Sequence, residues 1–66
     1  MKIIVNDKPQ TLPEIMALEK LLDYLKIDSQ GCAIAVNKNI VPKNHWPDVA
    51  VFEGDNVAIF KAISGG

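Results

Sequence analysis

The stretch Leu18-Glu19-Lys20-Leu21-Leu22-Asp23-Tyr24-Leu25 decides the fold of this chain. Its four leucines follow one another at spacings of three, one and three residues, which places them in a single stripe along a helix. The charged residues Glu19, Lys20 and Asp23 lie off that stripe. We therefore expect a helix from Met16 to Leu25 whose leucine stripe packs against another element of the fold.

The segments on both sides of this helix predict a small sheet. Several segments are rich in β-branched or apolar residues, or alternate as strands do. They are residues 2–6, 10–12, 32–37, 40–41, 49–52 and 57–63. Turn residues separate the first two, which should form a hairpin, and residues 44–48 are irregular enough for one turn of 3₁₀ helix. One helix across one face of a small mixed sheet, with a right-handed crossover, accommodates this order. The predicted fold class is α+β.

Strand alternation predicts a second apolar surface on the side of the sheet away from the helix. If Ile3, Val5, Val57 and Ile59 face the helix, residues of the opposite parity face outward. These outward residues are Ile4, Ala33, Ala35, Ala58 and Phe60. An apolar sheet face on a small domain is typical of a surface that docks a partner. The alternative is that residues 44–52 fold over this face and form a second small core.

Composition limits the remaining possibilities. The chain has 66 residues and a net charge of -1, so we expect a single domain over residues 1–66. Its lone cysteine, Cys32, allows no internal disulfide, and one cysteine with one histidine makes no zinc motif. There is no cluster of Lys and Arg to bind nucleic acid and no apolar run of membrane-spanning length. A reducing, cytoplasmic location is the expectation.

The sequence ends with Ile63-Ser64-Gly65-Gly66, directly after the last predicted strand. Glycine has no Cβ, so other groups can approach its backbone closely. Ser64, Gly65 and Gly66 are therefore predicted to form a flexible arm, thin enough to enter a narrow channel and present the Gly66 carboxylate. The alternatives are a frayed end without function and a scar of cloning.

Several of these features together resemble the ThiS family, the sulfur carriers of thiamine-thiazole biosynthesis. The matching segments are Lys2-Ile3-Ile4-Val5-Asn6, Leu18-x-x-Leu21-Leu22, Ala35-Val36-Asn37 followed by Ile40-Val41-Pro42, Glu53-Gly54-Asp55-x-Val57, and Gly65-Gly66. The resemblance implies the ubiquitin-like β-grasp fold. The related MoaD carriers of molybdopterin synthesis share the last two features, but the short connection from Ile27 to Gly31 favours ThiS. Residues 13–16 depart from the family's usual small or polar run.

The resemblance also implies a mechanism. An adenylating partner of the ubiquitin-activating (ThiF) type would activate the Gly66 carboxylate with ATP and magnesium, and a persulfide would supply sulfur. The resulting thiocarboxylate would serve a thiazole synthase of the ThiG type. The carrier itself would bind no cofactor and would be a co-substrate, not an enzyme. The rival interpretations are a MoaD-type carrier and a non-covalent β-grasp interaction module whose two terminal glycines are incidental.

Overall fold

The computed structural model describes residues 1–61. Within that range the fold combines a five-stranded sheet with one α-helix and a second, two-stranded sheet. Its elements are β1 (Lys2–Val5), β2 (Lys8–Thr11), β3 (Met16–Ala17), α1 (Leu18–Tyr24), β4 (Cys32–Val36), β5 (Asn39–Val41), a 3₁₀ helix (Lys43–Asp48), β6 (Ala50–Val51) and β7 (Asn56–Lys61). The larger sheet has the order β2-β1-β7-β4-β5, with β7 parallel to β1 and antiparallel to β4. The predicted α+β class is confirmed.

Two tight hairpins supply four of the five strands. The turn residues Asn6 and Asp7 have φ of 50° and 67°, and Asn37 and Lys38 have φ of 51° and 73°. Positive φ at both central residues is the signature of a two-residue type I′ turn, which matches the twist of the strands. The first hairpin pairs Val5 with Lys8, so β2 begins two residues earlier than predicted. Because Asn6 and Asp7 complete the turn by themselves, pairing resumes at Lys8.

The helix is shorter than the leucine pattern predicted. It covers Leu18–Tyr24, and Met16 and Ala17 belong to β3, which pairs with β6. Ala17 is the N-cap residue, with an extended ψ of 159° and no side-chain capping bond. The amide of Leu18 donates instead to the carbonyl oxygen of Val49, at 2.8 Å. The prediction of a helix from Met16 was wrong because tertiary strand pairing, which the sequence pattern does not show, holds its first two residues extended.

The leucine stripe lies at the centre of the core. Leu18, Leu21 and Leu22 are buried together with side chains from the inner face of the large sheet. The other buried members of this cluster are Ile3, Val5, Leu12, Ile34, Trp46, Val51 and Val57. Trp46 in the 3₁₀ helix donates its Nε1–H to the carbonyl oxygen of Val41, at 2.9 Å. The core is therefore a single cluster between the large sheet and the elements that cover its inner face.

Residues 44–52 pack on the helix side of the sheet. Trp46 and Val51 belong to the core cluster, and the 3₁₀ helix contacts α1. The alternative in which this segment covers the opposite face of the sheet is therefore wrong, since Trp46 and Val51 are buried in the main core and Val49 packs against it. Among residues 1–61, no helix is long and apolar enough to cross a membrane.

We expect Leu21→Ala to lower the free energy of unfolding by about 2–5 kcal/mol, because it removes a fully buried side chain and leaves a cavity. Such a loss is a large fraction of the stability of a domain this small. Lys20→Ala is the matched control, since Lys20 is exposed on the same helix and should change stability by less than about 0.5 kcal/mol. Urea titrations followed by circular dichroism measure both. Equal midpoints for the two variants would contradict the assigned core.

Candidate functional site

The outer face of the large sheet carries the predicted docking residues. The strand register places Ala33 opposite Phe60, and Ala35 opposite Ala58. On the other side of β7, Ile4 pairs with Asn56. Residues of the alternate parity, such as Ile3 and Val57, are fully buried against the helix side. The strand parity inferred from the sequence is therefore the parity of the structure.

Four apolar side chains on this face line a shallow hollow of about 580 Å³. They are Ala35, Ile40, Ala58 and Phe60. Ala35 is only 6% exposed and forms the floor, because Ala58 and Ile40 flank it on the adjacent strands. Phe60 is 56% exposed and Ile40 65%, so these two provide the accessible apolar surface. Together the four residues form a concave apolar surface.

Sequence reasoning missed Ile40. Its segment was predicted only as a short extension, with no face assigned. The two-residue turn at Asn37 and Lys38 fixes the register of β5 and sets Ile40 beside Ala35. The available signal was Asn37, because asparagine favours a two-residue hairpin turn. The length of a hairpin loop determines which residues face each other.

The remaining predicted face residues lie outside the hollow. Ile4 is 38% exposed on β1, and Ala33 is exposed near the far end of β4. The two therefore extend the apolar surface beyond the hollow in different directions. We call the combined surface of Ile4, Ala33, Ala35, Ile40, Ala58 and Phe60 the outer face.

Charge is unevenly distributed around this surface. Among the strand residues that share the orientation of the outer face, Lys2 is the only charged one, and Lys38 lies at the border of the hollow. Glu19 and Asp23 lie on α1, which packs on the opposite side of the sheet. Within residues 1–61, two positive charges, Lys2 and Lys38, therefore lie beside the apolar outer face.

Strand β7 connects this surface to the C-terminal segment. It contributes Ala58 and Phe60 to the hollow and ends at Lys61, the last described residue. The predicted arm of Ser64, Gly65 and Gly66 lies outside the described residues. Residues 62–66 therefore follow in sequence directly after a strand that contributes to the outer face.

A metal site and the lone cysteine are two other places where the described residues could carry chemistry. Within residues 1–61, no group of three or more His, Cys, Asp or Glu side chains could hold a metal ion. Cys32 is partly buried and donates its Sγ–H to the carbonyl oxygen of Asp28, at 3.0 Å. That contact is typical of a cysteine used as a small structural side chain.

The sequence and the fold both match known proteins along the whole chain. The model of the ThiS family matches residues 3–66. The sulfur carrier protein ThiS of Escherichia coli is 33% identical over 66 residues, and the alignment covers all of both chains. A thiazole synthase of Paramagnetospirillum magneticum is 38% identical over 66 residues, but this chain spans only 20% of that protein.

Solved structures agree with this assignment. The crystal structure of the thiamine biosynthesis protein ThiS from Geobacter metallireducens superposes with a TM-score of 0.89 at 26% sequence identity, covering all of both chains. A solution structure of a thiamine biosynthesis protein from the same organism gives a TM-score of 0.82 at the same identity. The mixed sheet grasping one helix is thus the ubiquitin-like β-grasp fold. The chain belongs to the ThiS family and is a sulfur carrier protein of thiamine biosynthesis, not an enzyme.

Proposed function

We propose that the Gly66 carboxylate is the group that carries the sulfur. A carboxylate oxygen attacks the α-phosphorus of ATP in a ThiF-type adenylating partner, which uses magnesium, and pyrophosphate leaves. A persulfide sulfur then attacks the carbonyl carbon of the acyl-adenylate and displaces AMP. A thiol cleaves the resulting acyl disulfide, is itself oxidised to a disulfide, and leaves the thiocarboxylate on Gly66. Adenylation is needed because a free carboxylate is too poor an electrophile to accept sulfur.

The observation that carries this proposal is the extent of the family match, which runs to residue 66 and includes Ser64, Gly65 and Gly66. These residues have little or no side chain to obstruct a narrow channel. Three extended residues span roughly 10 Å at about 3.4 Å each, enough to pass through the wall of a partner's active site. We therefore propose one β-grasp domain with residues 64–66 as its functional tail.

The proposed recipient of the sulfur is a thiazole synthase of the ThiG type. The support is the protein of Paramagnetospirillum magneticum, which is named a thiazole synthase and has a segment 38% identical to the whole of this chain. A segment similar to this carrier within a protein of that name supports a functional link between such carriers and thiazole synthases. Because adenylation consumes ATP and the chain needs no disulfide, we place the reaction in the cytoplasm.

The outer face is the proposed docking surface for these partners. Its hollow is apolar, and Phe60 lies one residue before Lys61, the last residue that the structure describes. A partner seated on this face would therefore hold the start of the C-terminal segment next to its own active site. Lys2 and Lys38 favour a partner whose apolar surface has an acidic border, since opposite charges steer association.

We expect extension of the chain beyond Gly66 to abolish thiocarboxylate formation. Two residues added after Gly66 remove the free carboxylate at that position. The same two residues added before Met1 serve as the control: the Met1 nitrogen donates to the carbonyl oxygen of Leu12 at 2.9 Å, and an amide there still donates. Intact-mass spectrometry after incubation with adenylating enzyme, ATP, magnesium and a persulfide source detects replacement of oxygen by sulfur. Sulfur incorporation into the C-terminally extended chain would disprove the role of Gly66.

We expect Phe60→Asp to weaken binding to the adenylating enzyme at least about tenfold, because a charge would be buried against an apolar surface. Phe52→Asp is the matched control: Phe52 is 54% exposed, close to the 56% of Phe60, and lies outside the hollow. Both variants should keep the native circular dichroism spectrum. Isothermal titration calorimetry measures both affinities. Equal affinities for the two variants would exclude Phe60 from the interface.

A further inference from the structure

Asn6 holds β7 beyond the point where β1 ends. The amide of Asn6 donates to the carbonyl oxygen of Val57, at 3.0 Å. Its side-chain Oδ1 accepts a hydrogen bond from the amide of Ile59 at 2.8 Å, and its Nδ2 donates to the carbonyl oxygen of Ile59 at 3.2 Å. One residue of a turn therefore satisfies three backbone groups of the neighbouring strand.

These bonds extend the edge of β7 that faces β1, where strand pairing ends earlier than on the edge that faces β4. On one side, β7 pairs with β4 as far as Lys61, opposite Cys32. On the other side, the parallel pairing with β1 stops at Val5 and Val57. The N–H and C=O of Ile59 both point toward the side of β7 where β1 has ended, because both bond to Asn6. The carboxamide of Asn6 thus takes the place of the next residue of a paired strand.

Asparagine suits this position for two separate reasons. Asn6 has φ of 50°, a left-handed conformation that asparagine tolerates better than most residues. Its carboxamide also offers a donor and an acceptor from one planar group, which the two polar groups of a strand residue require. Aspartate would keep only the acceptor, and glycine would keep the turn but neither bond. Neither replacement keeps both bonds.

We propose that Asn6 is a positioning residue for the reaction at Gly66, an inference that rests on the function proposed above. Ile59 lies seven residues before Gly66. With the Asn6 bonds, β7 is held on both edges up to Ile59. Without them, β7 is held on one edge only beyond Val57, so this described part of the strand frays more readily. Fraying there lengthens the tether between the folded domain and the carboxylate, which lowers the fraction of time that the carboxylate is correctly placed in the partner's site.

The test compares Asn6→Gly with a control that loses the same number of side-chain hydrogen bonds near the start of β7. Asp55 is that control: its carboxylate accepts from the amide of Phe52 at 2.8 Å and from Nδ2 of Asn37 at 3.2 Å. Asp55→Ala should destabilise the domain without freeing Ile59. Steady-state kinetics of ATP–pyrophosphate exchange by the adenylating enzyme, with the carrier as varied substrate, give kcat and KM for each variant and for the unchanged chain.

We expect Asn6→Gly to lower kcat about tenfold with KM changed less than about twofold, because docking through the outer face is intact while the reacting group is less well placed. Amide hydrogen exchange should quicken at Ile59 in Asn6→Gly but not in Asp55→Ala. Equal kcat for the two variants would overturn the proposal. If the unchanged chain supports no exchange, the function proposed above fails instead.

A second variant keeps the test decisive if Asn6→Gly does not fold at the assay temperature. Asn6→Asp retains the acceptor for the Ile59 amide and loses only the donor. Its kcat should lie below that of the unchanged chain. At a lower temperature at which Asn6→Gly does fold, the kcat of Asn6→Asp should be the higher of the two. A kcat for Asn6→Asp equal to that of the unchanged chain would also overturn the proposal.

Discussion

The parallel pairing of β1 with β7 is the contact on which the rest of the structure depends. The amide of Ile4 donates to the carbonyl oxygen of Asp55 at 2.9 Å, and that of Gly54 donates to the carbonyl oxygen of Lys2 at 2.8 Å. These bonds join residues about fifty positions apart in the sequence. Each hairpin forms from local contacts, but neither can bury its inner face alone. The β1–β7 contact joins them into one sheet wide enough to support the leucine stripe of α1.

This contact makes strict demands on the turn before β7. Gly54 has φ of +84°, a conformation that side chains rarely adopt, although a Cβ there would meet no atom within 4 Å. The requirement for glycine is therefore conformational and not steric. Asp55 then accepts a hydrogen bond from Phe52, and Asn56 donates its amide to Oδ1 of Asn37 at 3.0 Å. These bonds hold the turn through which the chain enters β7.

The sequence predicted those features that rest on local periodicity. The leucine spacing located α1, and alternation in β1, β4 and β7 assigned the two sheet faces correctly, since a one-residue error would have exchanged them. Features that depend on partners distant in sequence were not predictable in this way. Met16 and Ala17 appeared helical because nothing local indicates their pairing with β6. Ile40 received no face because its place depends on the type of the preceding turn, and Asn6 was assigned to the first strand and the turn after it, with no contact to β7 expected.

The two faces of β7 explain how a chain of this size serves as a carrier. Val57 has its side chain fully buried in the core, whereas Phe60 on the other face is more than half exposed. A domain with a single small core has little surplus stability, and a buried polar constellation for catalysis would reduce it further. Residues 1–61 contain no buried polar or charged side chain. In the function proposed above, partner enzymes supply the chemistry, and the carrier contributes its outer face and its terminal carboxylate. Because Phe60 and the start of the C-terminal segment both belong to β7, that proposal makes partner docking and delivery of the terminal group depend on the same strand.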